Sequence, residues 1–183
     1  MSLRKHGIGV VATALFAIGL WAGIGSARWL EPDAAIALTA TASAAKEVPR
    51  PTGVSARARG TFSAGLTRRG TGGTLSWRLT FRGLTGKAAA AHVHLGKPGK
   101  AGNVLVPLCG PCRSGARGTS RVNRRTVTAL LGGGAYVNVH TAKNPGGEIR
   151  GQIKKGGKPP TGTGTGTTTT TTTTTYTDTY NYP

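Results

Sequence analysis

The sequence predicts an all-β domain, an antiparallel β-sandwich or flattened Greek-key barrel, followed by a disordered C-terminal tail. Three observations lead there. Apolar and polar residues alternate with period two, most clearly in Leu75, Trp77, Leu79 and Phe81 against Ser76, Arg78, Thr80 and Arg82. β-Branched residues are frequent and 30 glycines punctuate them, which favours short strands and tight turns over helices. A length of 183 residues suffices for one ordinary domain with leftover ends, but not for two well-packed ones.

The chain begins with Arg4, Lys5 and His6 ahead of an uncharged apolar run from Gly7 to Gly25, closed by the small residues Gly25, Ser26 and Ala27. This is the pattern of a secretory signal cleaved after Ala27, residues 1–27, with an uncleaved signal anchor as the alternative. Residues 28–33 form a linker, and a β domain is expected over residues 34–153.

Within that domain Ile36 to Ala42 reads as a first strand. The prolines of Val48-Pro49-Arg50-Pro51 confine the next segment to an edge or crossing. Thr61 to Leu66 and Thr74 to Phe81 flank a Gly-rich connection and form a hairpin, with Trp77 and Phe81 as the expected bulk of the core.

Ala91-His92-Val93-His94-Leu95 follows as a strand with its two imidazoles on one face and Ala91, Val93 and Leu95 on the other. Gly96 to Gly102 is a basic loop, and Asn103 to Leu108 another strand. Arg121 to Leu131 fits either a short helix or a strand. Ala135 to His140 repeats the histidine pattern, placing Tyr136, Asn138 and His140 opposite Val137 and Val139. If Thr141 pairs with Gly147 across the next turn, His140 faces Glu148 and Asn138 faces Arg150, all on the wet side of the sheet, while Ile149 and Ile153 point inward.

From Lys154 the composition changes. Residues 154–183 start with lysines and continue into a tail with 14 threonines among residues 161–183, which cannot bury a core.

Three functional features stand out. His92, His94 and His140 are the only histidines beyond the leader. They are candidate ligands for copper or zinc, with Glu148, Asn138 and Arg150 as supporting residues. Cys109 and Cys112 form a CGPC string, which reads as a local disulfide in an exported chain or as a thioredoxin-like redox motif. The latter needs a helix beginning at the first cysteine. Finally, the formal charge is +19, and removing Arg4 and Lys5 leaves 22 basic against 5 acidic residues, or +17. An anionic cell-envelope polymer is therefore the expected partner class, alongside an extracellular protein. Nucleic acid ranks low because interleaved aromatics are missing, and a membrane would be met only through an uncleaved leader.

The segments Lys46-Glu47-Val48-Pro49, Leu79 to Gly86, Ala91-His92-Val93-His94 and Tyr136 to Thr141, followed by Pro145-Gly146-Gly147-Glu148-Ile149-Arg150-Gly151-Gln152, resemble the chordin-type CHRD domain over about residues 34–153. The resemblance implies an extracellular all-β domain, found in bacterial exported proteins and in the animal antagonists of bone morphogenetic proteins. It implies no settled biochemical activity. The CGPC insertion and the strongly basic character depart from the pattern.

The histidine pattern is also similar to that of copper/zinc superoxide dismutase, which implies copper-ligand positions for His92, His94 and His140 and an active-site arginine at Arg150. No further histidine and no aspartate between Ala34 and Ile153 is left to complete that enzyme's zinc site. The sequence therefore supports an exported, non-catalytic binding or scaffold module, a copper- or zinc-binding protein, or, least well, a redox catalyst.

Overall fold

The computed structural model describes residues 34–160; the leader, the linker and the threonine tract from residue 161 lie outside the described residues. Among the described residues nine strands form one antiparallel sheet that curls into a nearly closed barrel: β1 (Ile36–Ser43), β2 (Arg59–Arg69), β3 (Gly72–Arg82), β4 (Ala88–Leu95), β5 (Val104–Cys109), β6 (Ala116–Val122), β7 (Ala135–Thr141), β8 (Ile149–Gln152) and β9 (Lys154–Lys155). Their spatial order is β5-β4-β7-β8-β1-β2-β3-β6, with β9 pairing β1.

The β2–β3 hairpin is longer than the glycine pattern suggests. Thr67, Arg68 and Arg69 stay in register with Thr74, Gly73 and Gly72, so the turn is only Gly70 and Thr71. Gly70 supplies the left-handed φ of 56° that so short a connection requires.

Alternation fixes the core. Phe62, Ala64 and Leu66 of β2 meet Leu75, Trp77 and Leu79 of β3, all buried, and Val93, Val137, Val139, Ile149 and Ile153 close the other side. The expectation that Trp77 and Phe81 supply the bulk of the core holds for Trp77, whereas Phe81 packs against the core from its margin. Phe81 lies at the open end of β3 and is only partly buried, while Phe62 is fully buried.

The ambiguous segment resolves into both alternatives. Its first part finishes β6, and Arg124–Leu131 forms a helix, α1. The switch occurs at Asn123, whose side-chain oxygen accepts hydrogen bonds from the Thr126 amide at 3.0 Å and the Thr126 hydroxyl at 3.1 Å. Val127 and Leu130 then fall on one buried face.

Cys109 and Cys112 are joined in a disulfide with a Cα–Cα distance of 5.3 Å. After it the chain turns into β6, and no helix starts at the motif, so the arrangement that lowers a thioredoxin-type thiol pKa is missing here. No helix among the described residues is long and apolar enough to cross a membrane.

Candidate metal centre

β4 and β7 bring the three histidines together because they pair antiparallel, with His92 opposite Asn138 and His94 opposite Tyr136. Side chains on the same face of adjacent strands are near neighbours. His140, two residues beyond Asn138, therefore joins the pair from β4. One nitrogen from each ring can be chosen so that all three lie within 4.8 Å of one another. His92 Nδ1 is 3.2 Å from His140 Nε2.

Two rings are held by carbonyls that can only accept. His94 Nδ1 lies 2.9 Å from the Gly102 carbonyl oxygen and His140 Nδ1 lies 2.9 Å from that of Pro145. Each Nδ1 must carry the proton, which leaves Nε2 of both rings with a lone pair. His94 Nε2 is buried without a hydrogen-bond partner among the described residues. His140 Nε2 accepts from His92 Nδ1–H when no metal intervenes. A metal would take the place of that proton and leave His92 in its other tautomer.

Burial pushes the His92 pKa down to about 3, aided by the neighbouring His140 and His94. Burial likewise lowers His94 to about 4 against the opposing Gly102 hydrogen bond, with His140 and Arg150 adding to the decrease. His140 is lowered by burial, which outweighs its hydrogen bond to Pro145. All three imidazoles are thus neutral near pH 7, the form that binds metals.

The face carrying the rings is not wet, as the alternation alone suggests. Every residue of β7 is buried, His140 included, and so is His94 on β4. The loops over this face provide the cover. Arg150 Nη2 donates to the carbonyls of Lys97 and Lys100 at 2.9 and 2.8 Å, pinning the basic loop. Asn138 Nδ2 donates to Glu47 Oε1 at 3.3 Å, pinning the segment after β1.

The supporting residues play other parts than the sequence suggests. The β7–β8 register is as expected, with Asn138 opposite Arg150 and Val139 opposite Ile149. Yet Glu148 does not orient His140. Its carboxylate accepts from the Thr85 amide and hydroxyl, both at 2.6 Å, from the Thr141 hydroxyl at 2.5 Å and from Asn144 Nδ2 at 3.2 Å. Burial alone would raise its pKa, but these hydrogen bonds prevail and lower it. Glu148 thereby fixes the turn that presents the Pro145 carbonyl to His140.

Arg150 reaches the cluster through Tyr136: its guanidinium sits 3.5 Å from the Tyr136 ring centre, and that ring stacks on His94 at 5.1 Å. Asn138 engages Glu47. The sequence places Tyr136 on this face without giving it a part in the site, and it gives no sign of Gly102 or Pro145. Tyr136 was accessible through its period-two spacing from Asn138 and His140, whereas the two carbonyls carry no sequence signal.

Gly102 is also sterically obligatory. A Cβ there would sit 1.9 Å from the Leu95 carbonyl oxygen. Gly102→Ala should therefore displace the loop carrying the His94 acceptor. The expected cost is about 2 kcal/mol or more in urea unfolding, and an unchanged midpoint would contradict the placement of this loop.

The sequence model of the CHRD domain matches residues 38–153. No curated protein and no solved structure gives a match. The match covers well over half of the chain and ends where the last inward isoleucine, Ile153, closes the core. This chain belongs to the CHRD-domain family.

Proposed function

We propose that this CHRD domain is a non-catalytic binding module of the cell exterior whose three-histidine cluster holds one copper or zinc ion. The observation that carries this reading is the convergence of neutral imidazoles, two of them locked by carbonyls so that Nε2 faces the cluster. Metal–nitrogen bonds of about 2.0–2.1 Å in a tetrahedral site put the ligand nitrogens roughly 3.3–3.4 Å apart. The His92–His140 pair already has that spacing, at 3.2 Å. The third nitrogen, on His94, lies within 4.8 Å of the other two.

Three imidazoles leave a coordination position for water or another ligand, which suits zinc or copper; by intrinsic affinity copper(II) binds more tightly. Among the described residues the acidic side chains are Glu47 and Glu148; Glu148 is taken up by Thr85, Thr141 and Asn144, Glu47 bonds to Val48 and Asn138 through Oε1, and neither belongs to the group of side chains within metal-ligand reach of one another. That favours a holding role over dismutase chemistry. Export is part of the same proposal, supported by the leader pattern and the disulfide.

Calorimetric titration of the full chain with Cu²⁺ and with Zn²⁺ tests it. One saturable site per chain is expected, weakened at least about 100-fold in His94→Ala. Absence of saturable binding, or equal binding by the variant, would reduce the cluster to a hydrogen-bonded tie between β4 and β7.

A further inference from the structure

We infer that the outer face of β2, β3 and β6 is a docking surface for a linear anionic polysaccharide, gripped by an in-register ladder of arginines. On these strands one parity is core and the other faces out. Arg59 lies directly opposite Arg82, and Arg78 directly opposite Arg117; Arg121 follows four residues after Arg117 on β6. All five are exposed. The two facing pairs are separated by four residues along β3, about 13 Å at 3.3 Å per residue.

Like charges directly opposite one another across a sheet are destabilising. Among the described residues no carboxylate relieves them. Glu47 and Glu148 are the only acidic residues among the described residues, and both are buried, at 4% and 0% exposure. The exposed surface of residues 34–160 therefore carries cations without a single opposing carboxylate. A bound polyanion is the missing counter-charge.

The chemistry between the arginines narrows the partner. Thr61, Ser63, Ser76, Thr80 and Thr119 occupy the outward positions between them. Hydroxyls and guanidinium forks together suit a chain that alternates hydroxyl groups with carboxylates. The outward positions of β2, β3 and β6 offer no aromatic ring for stacking nucleic-acid bases and no aliphatic side chain to insert into a lipid layer. This surface is separate from the histidine cluster, so the inference stands whether or not a metal binds.

The test compares two charge-matched variants of the full chain for binding to polygalacturonate. Arg78→Gln/Arg117→Gln removes one rung of the ladder; Arg124→Gln/Arg125→Gln removes two exposed charges from α1. The first should weaken binding about tenfold or more, and lower the dependence of log affinity on log salt by about two. The second should leave affinity within about twofold. The thermal midpoint of the ladder variant should stay equal or rise, because a repulsive pair has been removed, which separates lost binding from lost folding.

Equal weakening by both variants, or none by the ladder variant, would overturn the inference in favour of diffuse charge attraction. Tighter binding of duplex DNA than of polygalacturonate at the same salt, with an equal loss in the ladder variant, would overturn the polysaccharide assignment.

Discussion

Glu148→Ala should destabilise the domain by about 3–5 kcal/mol in urea unfolding, a large share of the 5–15 kcal/mol typical of a domain. The side chain is completely buried and accepts four hydrogen bonds from three residues on two separate connections. Truncation would leave the Thr85 amide and hydroxyl, the Thr141 hydroxyl and the Asn144 amide facing a hole too enclosed to restore their solvation. Glu148→Gln keeps the volume, but it sets an amide where a charged acceptor is needed, so about 1–3 kcal/mol is expected. The loss should extend to the histidine cluster, because the turn held by Glu148 carries the Pro145 carbonyl. A drop of less than about 1 kcal/mol in the alanine variant would refute this account of the turn.

Glu148 also shows where the sequence stops informing. Its cross-strand position was legible: the glycines after Pro145 set the turn, and parity then put Asn138 opposite Arg150. Its partners were not. Thr85 lies 63 residues upstream on a different connection, and pairing across such a distance depends on how loops fold over the sheet.

The same limit explains the histidine face. Period-two alternation separates the two sides of a strand and placed the three rings together. It cannot say whether a side opposite the aliphatic core meets water or a second polar layer. Here Arg150, Asn138 and Gln152 tie down the covering segments through backbone carbonyls and Glu47, and Gln152 Nε2 alone donates to Gly96, Gly133 and Ala135. Arg150 on β8, expected on the wet side, thus serves as a fastener. The leading strands, the hairpin and the hydrophobic alternation were readable because they depend on near neighbours alone.

Burial of that face leads to the second large effect, a steep loss of stability in mild acid for the metal-free protein. The three histidines have folded pKa values below the ordinary 6.5, about 3 for His92 and about 4 for His94, with His140 also lowered. In the unfolded chain they titrate near 6.5, so below that pH the unfolded state binds up to three more protons and stability falls as pH drops.

Glu47 acts in the opposite sense. Burial raises its pKa to about 7, against the opposing Val48 hydrogen bond, the Arg150 charge and the Asn138 hydrogen bond. Its contribution is therefore full below about 4.5 and is lost as pH rises through about 7. Between those limits the folded chain holds one proton that the unfolded chain releases. His92 and His94 together take up about two protons on unfolding between pH 6 and 4.5 and Glu47 releases one, a net of about one proton or roughly 1.4 kcal/mol per pH unit, to which the lowered His140 adds in the same direction. Over that interval the loss reaches about 2 kcal/mol or more, a sizeable part of the 5–15 kcal/mol that holds an ordinary domain.

Thermal midpoints measured with chelator between pH 7.5 and 4.5 should fall steeply. Glu47→Gln should make the fall steeper, because it removes the counteracting group. A combined His92→Asn, His94→Gln and His140→Gln variant should reverse the trend over the same range, leaving Glu47 to favour the acid side. Saturating Zn²⁺ above pH 6 should raise the midpoint through binding to the folded state alone. A wild-type midpoint that stays flat from pH 7 to 4.5 would mean that the imidazoles are hydrated and freely protonated, and a cluster open to protons in that way would have lost the enclosed, neutral character on which its affinity for a metal depends.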